Sequence, residues 1–102
     1  MVYYVIFSEQ FSRIENIPES AVRGVTSFPY NAATLARKIM EDDKSCLVKE
    51  VSVLCFPENY IIPLDIFERD ELKNLCVRFR IYRVGGHINE EFFGEFKETA
   101  VI

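Results

Sequence analysis

The sequence has few of the residues that mark several large classes of protein. It contains four glycines, four prolines, one histidine and no tryptophan among 102 residues. So little glycine and proline excludes a fibrous or low-complexity chain, and a hydrophobic content of 49% excludes intrinsic disorder. No apolar run approaches the ~20 residues that a membrane-spanning helix needs. The length suits a single domain over residues 1–102 with one core.

Positive charge is also scarce. The chain carries 12 Lys and Arg against 16 Asp and Glu, which gives a net charge of −4. This balance disfavours non-specific binding of nucleic acid by the whole molecule. The start has neither the basic segment nor the small-residue cleavage site of a signal peptide. The odd number of cysteines, Cys46, Cys55 and Cys76, then predicts reduced thiols and a cytoplasmic location.

Apolar patterning predicts an α+β fold. Strands are predicted over residues 2–7, 46–56 and 76–84, and residues 47–62 resemble a hairpin whose second strand begins at Tyr60. An apolar stripe predicts one main amphipathic helix over residues 32–43, with Asn31 as its N-cap. A short helix is predicted over about 68–75, capped by Asp65. In the weakly patterned stretch 8–30, Pro18 and Gly24 would bound another short helix, with an irregular connection as an equal alternative. The expected architecture is an antiparallel or mixed sheet of four to five strands with the main helix packed on it.

The most informative segment follows residue 76. Residues 76–84 alternate, so that Val77, Phe79 and Ile81 are predicted to face the core. Gly85-Gly86 is typical of a two-residue hairpin turn. That turn sets three cross-strand pairs: Phe79–Phe92, Arg80–Glu91 and Arg78–Phe93. Residues 90–98 also fit a helix, but Gly94 inside it would cost ~1 kcal/mol, which favours a strand.

The outward face of this strand is the first candidate contact surface. It is formed by Arg78, Arg80 and Tyr82, with Arg83 and Phe93 beside them. Arginine and tyrosine are enriched among the residues that dominate protein–protein binding, so a protein partner is predicted. An alternative is single-stranded RNA or DNA, because cations and rings on a sheet can hold phosphates and bases. A simpler interpretation is a solvated strand whose arginines pair with neighbouring glutamates.

Acidic residues at the ends of the predicted helices form a second candidate surface: Glu41, Asp42, Asp43, Asp70 and Glu71. Such carboxylates could occupy a site on a target that normally receives phosphates. A net charge of only −4 keeps this the lesser alternative.

Catalytic, metal and cofactor sites are not predicted. The cysteines and His87 lack the short spacing of zinc ligands, so buried thiols in strands are the better interpretation. No phosphate-binding loop accompanies Gly85-Gly86. A dyad of Cys76 and His87 across the hairpin is the one catalytic alternative, and it would make the chain a thiol-dependent enzyme.

These observations together predict a small, soluble, non-enzymatic module that binds a protein. It would act as an inhibitor or adaptor, for example as a modulator of a host protein encoded by a virus or a mobile element. No membrane association is expected. A homodimer is also compatible with the sequence, because a strand at the edge of a sheet can pair with its own copy.

Overall fold

The computed structural model describes residues 1–11, 18–63, 65–94 and 96. Within these residues the elements are β1 (Val2–Phe11), β2 (Pro18–Thr26), α1 (Pro29–Asp42), β3 (Val48–Pro57), α2 (Asp70–Cys76), β4 (Val77–Val84) and β5 (His87–Phe92). The strands form one sheet in the order β2-β1-β3-β4-β5, and every neighbouring pair is antiparallel. The predicted α+β fold is confirmed. None of the helices in the described part of the chain is long and apolar enough to cross a membrane.

Helix α1 covers one side of the sheet, which we call the first face. Its buried residues Ala33, Ala36 and Met40 pack against β1, β3 and β4 in the larger of two apolar clusters. The approach is close at Gly24 of β2, where an added Cβ would lie 3.1 Å from Leu35 Cδ2. A side chain at position 24 would therefore require the end of the Leu35 side chain to move by a few tenths of an ångström.

The other side, which we call the second face, is partly covered by side chains from residues 61–63 and 65–76. Phe67 stacks on Phe7 at 4.6 Å between ring centroids, and Ile66 and Leu72 pack in the same cluster. Leu54 and Phe56 of β3 are buried beneath this cover. Apolar cover on both sides explains why the first and third strands have long apolar runs in place of strict alternation.

The register of the predicted hairpin is confirmed, although Arg80 forms its ion pair with Glu50 and is itself the arginine that stacks on Phe93. Gly85 and Gly86 have φ values of +55° and +84°, which the tight turn requires and which glycine adopts without strain. Phe79 pairs with Phe92, Arg80 pairs with Glu91, and the Phe93 N–H donates to the Arg78 carbonyl at 2.9 Å. Residues 87–92 are a strand, as favoured. Within the predicted segment 90–98, residues 95, 97 and 98 lie outside the described residues.

Several local predictions were wrong. The stretch beginning at Pro18 is an edge strand and not a helix, because Ala21 to Thr26 pair along β1. Tyr60 does not begin a strand: Asn59 has φ +65°, and Tyr60 instead stacks on Phe56. Helix α1 begins at Pro29, whose ring presets the helical φ, so Phe28 and not Asn31 is the N-cap.

Two further expectations failed at α2 and β4. Asp65 does not cap α2, whose N-cap is Arg69. Val77 packs in the second-face cluster, whereas Phe79 and Ile81 pack in the first-face cluster. A register irregularity between Val53 and Leu54 of β3 inserts an extra residue in β4 and reverses the side on which Val77 lies.

Candidate functional site

Beside the second-face cluster, the sheet carries a group of partly exposed polar and aromatic side chains. We call it the β4 strip and define it by Arg80, Tyr82 and Phe93 with the carboxylates of Glu50 and Glu91. Four of these five were placed together by strand alternation in the sequence or by the hairpin register. Glu50, from β3, was not singled out, because nothing in the sequence shows that β3 pairs with β4.

Arg80 is the centre of the β4 strip. Its Nε lies 2.8 Å from Glu50 Oε1, and a terminal nitrogen donates to Asn74 Oδ1 at 3.2 Å. The guanidinium carbon lies 5.3 Å from the centroid of the Phe93 ring, within cation–π range. Arg80 is therefore a half-buried, positioned cation and not a freely solvated one.

Tyr82 and Glu91 face each other beside Arg80. The Tyr82 hydroxyl donates a short hydrogen bond to Glu91, which raises the pKa of Tyr82 above its ordinary value. Burial raises the pKa of Glu50, with the neighbouring Arg80 acting in the opposite direction. The strip thus presents a ring with a polar tip next to carboxylates that are not fully hydrated.

A buried ion pair borders the strip and was not predicted. Lys73 of α2 is only 5% exposed, and its ammonium donates to Glu9 of β1. It also lies 3.5 Å from Asp70 Oδ1 and 5.7 Å from the centroid of the Phe7 ring. Burial alone would lower the pKa of Lys73, but the hydrogen bond and charge of Glu9, together with the charges of Asp70 and Glu50, outweigh it and raise that pKa. No sequence signal could have identified this pair, since its partners are 64 residues apart.

The remaining predicted arginines make internal contacts. Arg78 donates to the carbonyls of Leu75 and Val77, at 3.1 and 3.0 Å, and so stabilises the end of α2. Arg83 points to the first face, where it donates to the carbonyls of Met40 and Asp43, at 2.9 and 3.2 Å. It supplies the positive charge that the acidic end of α1 lacks. Of the predicted basic surface, Arg80 and Tyr82 with Phe93 are brought together, and Arg78 and Arg83 are engaged elsewhere.

The predicted acidic surface is divided between the two faces. Glu41, Asp42 and Asp43 lie at the end of α1 on the first face, whereas Asp70 and Glu71 begin α2 on the second. Asp43 is largely internal, because its carboxylate accepts from the Val48 N–H at 2.8 Å and from Ser45 Oγ at 3.1 Å. These five carboxylates therefore do not form one contact surface.

The thiols are not arranged for catalysis. All three are free, with Cys46 exposed and Cys55 and Cys76 partly buried. Only Cys55 lies in a strand, because Cys76 ends α2, so the expectation of buried thiols in strands was wrong for Cys46 and Cys76. Cys76 immediately precedes β4, and His87 pairs with Val84 at the far end of that strand. Eight strand residues separate them, a span of roughly 26 Å. The Cys76–His87 dyad is therefore not formed.

The charges around the β4 strip argue against phosphate binding. Arg80 of the strip is paired with Glu50, and Lys73 beside the strip is paired with Glu9 and Asp70. Glu91, which accepts from Tyr82, is a fourth carboxylate in this group. An RNA or DNA strand needs unpaired cations along its backbone. No cluster of potential metal ligands occurs in the described ranges of the chain. The β4 strip can therefore stack on a ligand, form hydrogen bonds with it and weakly attract cations.

Comparison with known proteins adds no functional information, because the chain matches no protein-family model, no curated protein and no solved structure.

Two carboxyl groups predict opposite effects of pH on stability. Burial raises the pKa of Glu50, so the fold favours its protonated form and its contribution to stability falls as pH rises from about 4.5 through the folded value. The bidentate hydrogen bonds from Arg37, at 2.7 and 3.0 Å, lower the pKa of Glu90. Its contribution is therefore present above about pH 4.5 and is lost as pH falls through the lower folded value.

The quantity to compare is the change in the free energy of unfolding between pH 4 and pH 7. Relative to the unmodified chain, we expect this change to favour pH 7 more in Glu50→Gln and less in Glu90→Gln. Urea unfolding from pH 3 to pH 7 measures both. Parallel pH profiles for the two variants would contradict the assignment of opposite shifts.

Proposed function

We propose that this chain is a small, non-enzymatic module that binds a protein partner through the β4 strip. The observation that carries the proposal is the stack of Arg80 over Phe93, with Tyr82 alongside, on the second face, where all three side chains are partly exposed. Arginine and aromatic side chains that are already positioned lose little conformational entropy on binding. They are also the residue types that dominate interface energies.

The charge of the strip indicates the chemistry of the partner. Four carboxylates surround two paired cations, so the strip favours a partner segment that carries lysine or arginine beside an apolar residue. The same imbalance disfavours single-stranded nucleic acid, the principal alternative. Inhibition and scaffolding are both compatible with such a surface.

A cytoplasmic setting is part of this proposal. Three free thiols, one of them exposed, suit a reducing compartment. Fractionation of the source cell is expected to recover the chain with cytoplasmic proteins, and recovery from the medium would contradict it.

The binding test uses the tagged chain to capture partners from a lysate of the source cell, with and without nuclease. Tyr82→Ala is the test variant because it removes a ring from the strip without creating an unpaired buried charge. Arg80→Glu is less suitable, since it would place a third carboxylate beside Glu50 and Glu91. Tyr30→Ala, which removes an exposed ring from the opposite face, is the matched control.

We expect one protein to be retained in stoichiometric amount despite nuclease, with affinity reduced about tenfold or more by Tyr82→Ala and unchanged by Tyr30→Ala. Far-UV circular dichroism should show both variants folded. Equal capture by the two variants would contradict the β4 strip as the site. Loss of all captured material after nuclease would contradict protein binding and favour the nucleic-acid alternative.

A further inference from the structure

Strand β5 forms an edge of the sheet with an unpaired outer side. The sheet order leaves β2 and β5 at the two edges, and within the described residues no strand pairs with the outer side of either. After β5, Gly94 has a positive φ, and the ring centroid of Phe96 lies 5.6 Å from that of Tyr4 on the first face, away from the outer side of β5. The outer side of β5 is therefore open along its length in this part of the structure.

The backbone groups on this open side can be assigned from the hairpin. The Phe93 N–H donates to the Arg78 carbonyl. Hydrogen-bonded and non-hydrogen-bonded pairs alternate along an antiparallel ladder. The N–H and C=O groups of Ile88, Glu90 and Phe92 consequently point away from β4. Their side chains lie on the first face, where Ile88 is 45% exposed and Phe92 is 51% exposed.

The two edges differ in how well they resist pairing. Edge β2 begins with Pro18 and contains a register irregularity opposite Ile6 and Phe7. Proline and bulges are devices by which proteins block an edge strand. Edge β5 has neither. Both edges expose two large apolar side chains, Val22 and Val25 in β2 and Ile88 and Phe92 in β5, so the proline and the irregularity are what distinguish them.

We propose that β5 pairs antiparallel with β5 of a second copy of this chain, with Ile88 of one copy opposite Phe92 of the other and Glu90 opposite its own copy. The pairing joins two five-stranded sheets into one. This inference does not rest on the proposed function, because it concerns the open backbone of β5 and a second copy of the same chain, although Glu91 belongs to both β5 and the β4 strip.

The strand sequence is complementary to itself in this register. On the first face, Ile88 and Phe92 make an apolar contact twice. On the second face, Asn89 lies opposite Glu91, so an amide donor meets a carboxylate acceptor, also twice. The three outward-facing residues of each strand would complete about six backbone hydrogen bonds.

The central Glu90 pair would repel in isolation. Each Glu90 is, however, already held by the guanidinium of Arg37 through two hydrogen bonds. The charge at the symmetry axis is thereby balanced within each copy. Shifting the register by two residues would place Glu90 opposite Ile88 or Phe92, and both contacts would be lost.

The first measurement is the mass of the purified chain by light scattering over a wide concentration range. We expect twice the chain mass of 11.9 kDa. Ile88→Pro is expected to give a monomer, because it removes an outward N–H without removing a bond to β4. Ile88→Val keeps that N–H and should remain a dimer. A monomer at every concentration for the unmodified chain would overturn the proposal.

Cross-linking tests the register and stands even if the proline variant does not fold. In a Cys46→Ser background, which removes the exposed native thiol, Glu90→Cys should form a disulfide-linked dimer on mild oxidation. Ile88→Cys should not, because the two copies of position 88 would be about 14 Å apart. Pairing through β5 would be overturned if Glu90→Cys and Ile88→Cys form disulfide-linked dimers equally well. It would also be overturned if neither variant forms the disulfide and the Ile88→Pro variant is still a dimer.

Discussion

Replacement of Leu54 by alanine is expected to lower the free energy of unfolding by about 2–5 kcal/mol. Leu54 is 0% exposed and lies under residues 61–76 on the second face, in the smaller apolar cluster. Deleting three carbon atoms there removes their transfer free energy and leaves a cavity that the rigid sheet cannot close. The loss would be a large fraction of the stability of a domain of this size.

Leu75→Ala is the matched control for this experiment. It makes the same chemical change at a side chain that is 73% exposed on α2, so a change of less than ~0.5 kcal/mol is expected. Chemical denaturation of both variants measures the difference. Similar small losses in the two would show that residues 61–76 do not form a packed cover, and the second face would then be open over its whole width.

The sequence predicted the β4–β5 hairpin and helix α1 because both are determined by residues that are close together in the chain. The two glycines fix both the turn and the register of the β4–β5 hairpin, so all three cross-strand pairs were predictable from residues 76–93 alone. The apolar stripe of α1 has a helical period that no strand can use. Its misjudged start shows the limit of the pattern, because Asn31 and Pro29 are both good signals for a helix N-terminus.

Elements that depend on distant partners were not predictable. Val22 and Val25 lie in an edge strand only because β1 offers a free edge, and the residues between Pro18 and Gly24 fit a short helix equally well. Tyr60 was assigned to a hairpin because the turn before it is a good one. In the structure the neighbour of β3 is instead β4, which begins 17 residues after Tyr60.

The candidate site was predictable in its residue types and less so in its environment. Alternation placed Arg80 and Tyr82 on one face, and the hairpin register added Glu91. The bulge at Val77 and the capping contacts of Arg83 with α1 could not be read from local sequence, since both are set by elements far away in the chain. The surface is consequently smaller and more acidic than the sequence predicted.

Removal of Glu9 is expected to be among the most destabilising changes at the surface of the sheet. Glu9→Ala would leave the ammonium of Lys73 buried at 5% exposure, with only Asp70 3.5 Å away and no direct hydrogen-bond acceptor from β1. A buried charge that loses its partner typically costs about 3–5 kcal/mol. Urea denaturation at pH 7 measures the loss. The raised pKa of Lys73 keeps this group protonated throughout the neutral range, so its contribution is lost only in strongly alkaline solution.

The decisive test is a second substitution that stabilises the first. Lys73→Met retains an unbranched chain against the Phe7 ring and removes the charge. Adding it to Glu9→Ala should therefore recover more than about 1 kcal/mol, because the double variant contains no unpaired buried cation. Lys73→Met alone should cost less than Glu9→Ala, although it leaves Glu9 facing Glu50 across the β1–β3 ladder. If the double variant is instead less stable than Glu9→Ala, the ammonium reaches solvent or Asp70 once Glu9 is removed. That result would show that Glu9 does not stabilise the fold by pairing with a buried Lys73 ammonium.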